Sequence, residues 1–238
     1  MTTLLALSPH LDDAAFSAGG ALARRADAGW RVVVATLFTG NVAQPEGFAL
    51  ACQLDKGLGP EVDYMALRRE EDRRACEALG AEPLHLPLLE APHRGYDSAA
   101  ALFQPPRADD PAADDLRDTV ADLLRAQAPD EVWAPRALGG HVDHVLLHRA
   151  VRMLAPAVAW WTDWPYADRP APADPEAATL GKARWSDVPL DEDLRARKAQ
   201  SCAAYASQLG YQFGGEPALR ARVAAQASER FAYTGPAR

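Results

Sequence analysis

Cysteine is nearly missing from this chain: Cys52, Cys76 and Cys202 are the only three in 238 residues. An odd, widely spaced set offers neither a disulfide framework nor a Cys-x-x-Cys metal knuckle, and it fits a reducing cytoplasm. Positive charge is also in deficit. With 25 Lys and Arg against 33 Asp and Glu, the formal net charge is -8. A phosphate-backbone partner needs clustered Lys and Arg, so nucleic acid is not an expected partner. Arg24-Arg25 and Arg68-Arg69 are interleaved with acids and read as solvated helix faces. Long apolar runs are absent too. The stretch from Met1 to Leu7 lacks a basic flank and is far too short for a signal or spanning helix, which leads to the expectation of a cytoplasmic protein with no membrane anchor. The glycine spacing of a dinucleotide fingerprint is lacking as well. Ser17-Ala18-Gly19-Gly20 sits inside a helical pattern rather than between strand and helix.

What is present is enough apolar material for a core. Hydrophobic residues make up 48% and charged residues 24%, which rules out disorder over most of the length and suits a single α/β domain over residues 1–238. Short Val- and Leu-rich runs alternate with helical patterns. Leu4–Leu7 reads as a buried strand stopped by Ser8-Pro9, and a helix follows over 13–28. Arg31–Phe38 reads as a second strand, then a loop region through Pro60. Helical spacing over Asp63–Leu79 ends at Gly80, a C-terminal cap. Leu84–Leu88 and Glu131–Ala134 read as further strands, with an exposed loop at Gln104–Asp115 and helices at Leu116–Gln127 and His141–Leu154. Ala157–Trp164 is strand-like and aromatic, Pro165–Pro175 is a proline-rich arm, and Asp191–Leu209 is one long helix. The alternation implies a Rossmann-like, doubly wound, mainly parallel sheet with helices on both faces. In such sheets ligands bind beyond the carboxyl ends of the strands, where the loops at His10, Gly40 and Arg136–His141 fall.

Two clusters at that edge have the residue types for chemistry. Pro9-His10-Leu11-Asp12-Asp13 follows the first strand, and either aspartate there could simply cap the next helix. His141-Val142-Asp143-His144 follows Gly139-Gly140, and on a helix His141, His144 and His148 share one face. Two imidazoles and a carboxylate suit one catalytic Zn²⁺ per chain, with a position left for water. Adjacent loop residues do not readily aim both carboxylates at one ion. Asp13 is therefore assigned to the metal with His10 and His144, and Asp12 to the base that takes the water's proton. His141 is the candidate cationic group facing the oxyanion formed when an amide is attacked, with Asp143 holding its ring and keeping it protonated.

The motif pair Ser8-Pro9-His10-Leu11-Asp12-Asp13 and His141-Val142-Asp143-His144 resembles the PIG-L/LmbE family of zinc-dependent N-acetylglucosaminyl deacetylases. The helix segment Arg68-x-x-Glu71-x-x-x-Ala75-x-x-x-Leu79-Gly80, the position of Thr39-Gly40-Asn41, and Lys198 with Tyr205, Ser207 and Gln208 add to the likeness. The resemblance implies His10, Asp13 and His144 as zinc ligands, Asp12 as base, and His141 facing the oxyanion or leaving amine. It also implies Arg68 as a substrate contact, against its plain reading as an ion-pair partner of Glu71 or Asp72 on a solvated helix. Arg94, with Glu90, hangs over the same edge and is a second candidate for substrate binding. Leu11 and Ala14 stand where the family usually has proline and glutamate, which marks a side branch. The expected reaction is removal of an N-acetyl group from an amino sugar or glycoconjugate, a small-molecule partner. The alternative is a non-catalytic sugar-binding or regulatory domain on the same fold. A homo-oligomer is compatible with the sequence, which does not name the substrate.

Overall fold

The computed structural model describes residues 1–235. In chain order its regular elements are β1 (Thr3–Ser8), α1 (Asp13–Asp27), β2 (Arg31–Thr36), α2 (Gly47–Leu54), α3 (Tyr64–Leu79), β3 (Glu82–His85), α4 (Ala112–Gln127), β4 (Glu131–Pro135), α5 (Val142–Leu154) and β5 (Val158–Trp161). The carboxyl-terminal third adds β6 (Arg184–Pro189), α6 (Glu192–Ala203), α7 (Ala206–Phe213), α8 (Glu216–Ala224) and β7 (Ser228–Thr234).

The strands form one sheet in the order β3-β2-β1-β4-β5-β7-β6. The first five run parallel, while β7 pairs antiparallel with both β5 and β6. This is the doubly wound, mostly parallel architecture expected from the alternation. Side chains alternate between two cores. Leu4, Ala6, Val32, Val34 and Trp161 face α1, α3 and α6, whereas Leu5, Leu7, Val33, Ala35 and Trp160 face α4 and α5. Trp160 and Trp161 are both buried, one on each face.

The winding reverses between β1 and β4, whose carboxyl ends lead into α1 and α5. The crevice of an open α/β sheet lies at such a reversal, so the His10 and His141 clusters flank it. Gly80 caps α3 in the left-handed conformation (φ 72°), as its position predicts, and Asp63 accepts from the Ala66 N–H at the other end.

Three sequence readings need correction. The region before Pro60 contains α2, whose eight residues, apolar but for Gln53, are too few to show a helical stripe. The long helix over 191–209 is broken between α6 and α7. Tyr205 there leaves helical backbone geometry (ψ 54°) to donate its hydroxyl to Asp72 at 2.6 Å, and Glu71 accepts from both the N–H and hydroxyl of Ser207. No glycine or proline announces that break. The strands β6 and β7 and helix α8 were not anticipated, because β6 is a largely exposed edge and β7 begins Ser-Glu-Arg.

The pair Gly19-Gly20 serves packing. A Cβ at Gly19 would lie 3.3 Å from the Lys198 side chain, and one at Gly20 would overlap Leu190. Absence of side chains lets α1 approach the buried Lys198–Glu229 ion pair (2.7 Å), whose carboxylate also accepts from the N–H groups of Gly20 and Ala21. Among the described residues no helix is long and apolar enough to cross a membrane.

Candidate metal centre

His10 and Asp13 come from the turn between β1 and α1. Ser8 organises it: its hydroxyl donates to the His10 carbonyl (2.8 Å) and accepts from the Ala14 N–H (3.2 Å). The Ala14 amide is thus satisfied by Ser8, and the Asp12 side chain caps nothing. Asp12 instead sits at φ 145°, ψ -32°, a left-handed-side conformation that L residues adopt at a cost of order 1–3 kcal/mol. The capping reading therefore fails for Asp12. Asp13 accepts from the His10 N–H at 3.0 Å, which fixes the two side chains relative to each other.

Three donor atoms converge here. Nδ1 of His10 lies 3.2 Å from Oδ2 of Asp13, and Nε2 of His144 lies 3.1 Å from the same oxygen. Buried Nε2 of His144 has no hydrogen-bond partner despite that proximity. The two side chains thus approach without pointing at one another. Donors aimed at a shared point behave so, and a tetrahedral ion with bonds of about 2.0–2.1 Å has ligand–ligand edges of about 3.3 Å. The far side of each ring is held by a carboxylate. Nε2 of His10 is 2.9 Å from Asp143, and Nδ1 of His144 is 2.9 Å from Asp163, an arrangement that orients metal-binding imidazoles.

The electrostatics agree. Burial works against charge on His144, yet Asp13 and Asp163 raise its pKa to about 9. His10 is likewise raised despite burial, by Asp13 and Asp143. Burial alone would raise Asp13, but His144 and His10 pull it well below the ordinary carboxylate range. A site that draws positive charge so strongly around one carboxylate oxygen fits a divalent cation.

His141 joins the cluster: ligating atoms of His10, His141 and His144 all lie within 4.8 Å of one another. Two expectations about it are corrected. Burial lowers its pKa to about 3, so the ring is neutral rather than cationic. The Asp143 carboxylate turns away from it, towards His10, Arg94 and the Ala91 N–H. What reaches Nδ1 of His141 is the backbone N–H of Asp143, at 3.2 Å. An accepting Nδ1 leaves the ring proton on Nε2, free to be donated.

Asp12 is buried beside this cluster, and burial raises its pKa to about 7 although Arg68 opposes the shift. Arg68 is itself buried. It donates to Glu90 (2.7 Å) and to the Leu11 carbonyl (2.8 Å) and stands 3.6 Å from Asp12. The solvated-helix reading of Arg68 is overturned, since Glu71 and Asp72 are turned to Ser207 and to Tyr205 and His85. Arg94, unlike Arg68, does not line the cavity beside this cluster. Its donors go to Asp110, Asp143 and the Leu89 carbonyl, so its expected role in substrate binding is replaced by one in holding Asp143. Leu11 and Ala14 are buried in the core and remove no donor from the site.

The cluster opens into a cavity of about 300 Å³ whose walls include Phe48, Tyr64, Phe103 and Tyr166. One contributor escaped the sequence reading. Asp163 follows β5 at the same carboxyl edge as the two motifs, a position that could have flagged it. Tyr166 lies over His144, at 5.6 Å between ring centroids, and packs against Gly139, whose φ of 95° and missing Cβ both make room for it. His148, on the same helix face, is turned away to the Pro135 carbonyl and Thr179.

Comparison with known proteins gives a consistent picture. Residues 5–155 match the family model PIG-L, described as GlcNAc-PI de-N-acetylase. The 2'-N-acetylparomamine deacetylase of Streptomyces fradiae is 39% identical over 185 residues, covering 76% of this chain; the match spans 63% of that relative's length. Among solved structures, the zinc-inhibited form of a teicoplanin deacetylase superposes with a TM-score of 0.81 at 25% identity, covering 98% of each chain. The A40926 pseudoaglycone deacetylase gives 0.78 at 29% identity, covering 100% of this chain and 99% of that one.

Proposed function

Because the chain belongs to the PIG-L family, we propose that it is a zinc-dependent N-deacetylase that hydrolyses the acetamide of an amino sugar within a glycoconjugate. The observation that carries this reading is the convergence of His10, Asp13 and His144 on one point at the floor of a cavity, with Asp12 and His141 beside it.

His10, Asp13 and His144 would hold the ion. When bound, it supplies Lewis acidity that polarises water and the acyl oxygen. Asp12 takes the proton of the attacking water on its carboxylate. A pKa near 7, set by burial, makes that group both ionised and basic at neutral pH. Nε2–H of His141 hydrogen-bonds, as a neutral donor, to the oxygen that gains charge, and the proton held by Asp12 passes to the departing nitrogen, which leaves as the amine. Arg68 fixes the Asp12 turn through the Leu11 carbonyl and keeps a positive charge near the carboxylate. Phe103, 5.5 Å from the His141 ring centroid, and Tyr166 shield the reacting groups from bulk water. Leu11 and Ala14 motivated a binding-only alternative, but as core residues they lend it no support.

The test is formation of free amine from a panel of N-acetylated aminoglycosides, glycopeptide sugars and N-acetylglucosamine conjugates by zinc-loaded protein, with Asp12→Asn as the blank. Amine released from at least one conjugate, and abolished by chelation, supports the reading. No release from any, by protein that has taken up one equivalent of zinc, refutes it.

A further inference from the structure

The catalytic cavity does not end at the catalytic groups. It shares Tyr211 and Gln212 with a second cavity of about 340 Å³ bounded by Asp168, Arg169 and Arg222. Just before that junction, on the cavity wall, the ammonium of Lys56 lies between two rings, 5.6 Å from the centroids of both Tyr64 and Tyr211. One of its N–H groups goes to the Cys52 carbonyl at 2.8 Å. An ammonium has three donors, and among the described residues no carboxylate forms an ion pair with this one. Burial, reinforced by the Arg68 guanidinium, lowers its pKa below that of an ordinary lysine, so its surroundings leave the charge poorly compensated. Arg68, the other cation on this wall, is matched by Glu90.

The two rings differ in a useful way. Tyr64 is fixed, its hydroxyl accepting from Gln208 at 3.0 Å. Tyr211 is 70% exposed, an uncommon setting for a large aromatic side chain unless something covers it. A sugar ring matches this cleft in both respects. Its C–H face packs on an aromatic ring, and its rim of hydroxyl oxygens accepts the donors that Lys56 has to spare.

We propose that Lys56, Tyr64 and Tyr211 form a subsite for the second ring of a substrate whose first, N-acylated ring lies over His10, Asp13 and His144. The favoured substrates are then conjugates of at least two rings rather than free monosaccharides. This inference rests on the deacetylase reading above.

The experiment compares N-acetylglucosamine with N-acetylglucosaminyl-glucose, a disaccharide with its single acetamide on the non-reducing ring, using zinc-loaded wild type, Lys56→Met and Tyr211→Ala. The wild type should favour the disaccharide by about tenfold or more in kcat/KM, equivalent to about 1.4 kcal/mol. Each variant should lose most of that preference, through KM rather than kcat. In parallel, calorimetry reads binding of the deacetylated disaccharide, whose Kd should rise about tenfold in Tyr211→Ala. A wild type without preference, variants that retain it within about twofold, or equal losses on both substrates would overturn the subsite. If the wild type turns over neither sugar, the deacetylase reading is decided by the wider panel above, and calorimetry, which needs no turnover, decides the subsite: no binding of the disaccharide, or equal binding by wild type and Tyr211→Ala, overturns it.

Discussion

Oδ2 of Asp143 lies 2.9 Å from Nε2 of His10, across 133 residues of sequence. This contact fixes the imidazole so that Nδ1, not Nε2, faces Asp13. Asp143 is held in turn. Arg94 donates to its other oxygen at 2.7 Å while gripping Asp110 with two further bonds of 3.0 Å, and Tyr96 adds its hydroxyl to Asp110. The aspartate of the second histidine motif therefore serves the histidine of the first.

Breaking this chain of contacts should loosen the metal. Asp143→Asn and Arg94→Met are each expected to weaken zinc binding by about 10- to 100-fold, read by chelator competition on protein whose fold is checked by circular dichroism. Affinity equal to wild type in the folded variants would show that Asp143 is not what aims His10.

Asp12 combines an awkward backbone with a buried carboxylate. Asp12→Asn should lower kcat by roughly 10²- to 10⁴-fold, the usual contribution of a general base, without loss of bound zinc. Asp12→Gly should be inactive too, yet more stable than Asp12→Ala by about 1–2 kcal/mol in urea unfolding, because glycine adopts φ 145° without strain. Equal stability of the two would remove the argument for strain.

The fold was legible because its signals are local. Apolar runs of strand length alternate with helical stripes, and Gly80 and Asp63 mark the ends of α3. That His10, Asp13 and His144 would meet was legible because the segments carrying them follow β1 and β4 at the carboxyl edge of the sheet. What escaped depends on tertiary partners. Nothing in the sequence at Arg94 says that Asp110 and Asp143 will absorb its donors, and nothing at Tyr205 says that Asp72 will pull it out of a helix. The second motif misled through proximity: Asp143 was paired with His141, its near neighbour in sequence, although the helix start turns its carboxylate to His10.

His148 should make stability depend on acidity. Burial lowers its pKa from 6.5 to about 4, although the Pro135 carbonyl favours its charged form. Between those values the unfolded chain binds a proton that the folded chain refuses. The contribution is therefore full above pH 6.5, declines as pH falls, and is gone below about 4. It amounts to about 3 kcal/mol, at 1.36 kcal/mol per pKa unit. Unfolding free energies of wild type and His148→Gln, measured across this window, should differ in slope. Parallel curves would contradict the assignment.

The ion pair of Lys198 with Glu229 is buried at both ends. Lys198→Met should cost about 3–5 kcal/mol, because it leaves a carboxylate without its counter-charge. Lys198→Met combined with Glu229→Gln should recover part of that loss, since the amide oxygen still accepts a bond from α1. Thermal unfolding of the three proteins gives the comparison, and a double variant no more stable than the single one would argue against charge as the cause.

The position of β7 also constrains how this molecule is made. The strand lies between β5 and β6, yet it follows both in the sequence and supplies Glu229 to α1. During synthesis the open side of β5 must wait, unpaired, until residues 228–234 have cleared the ribosome. A nascent chain stalled before that point would present a naked strand edge, the kind of surface that chaperones bind and that seeds aggregation when they do not.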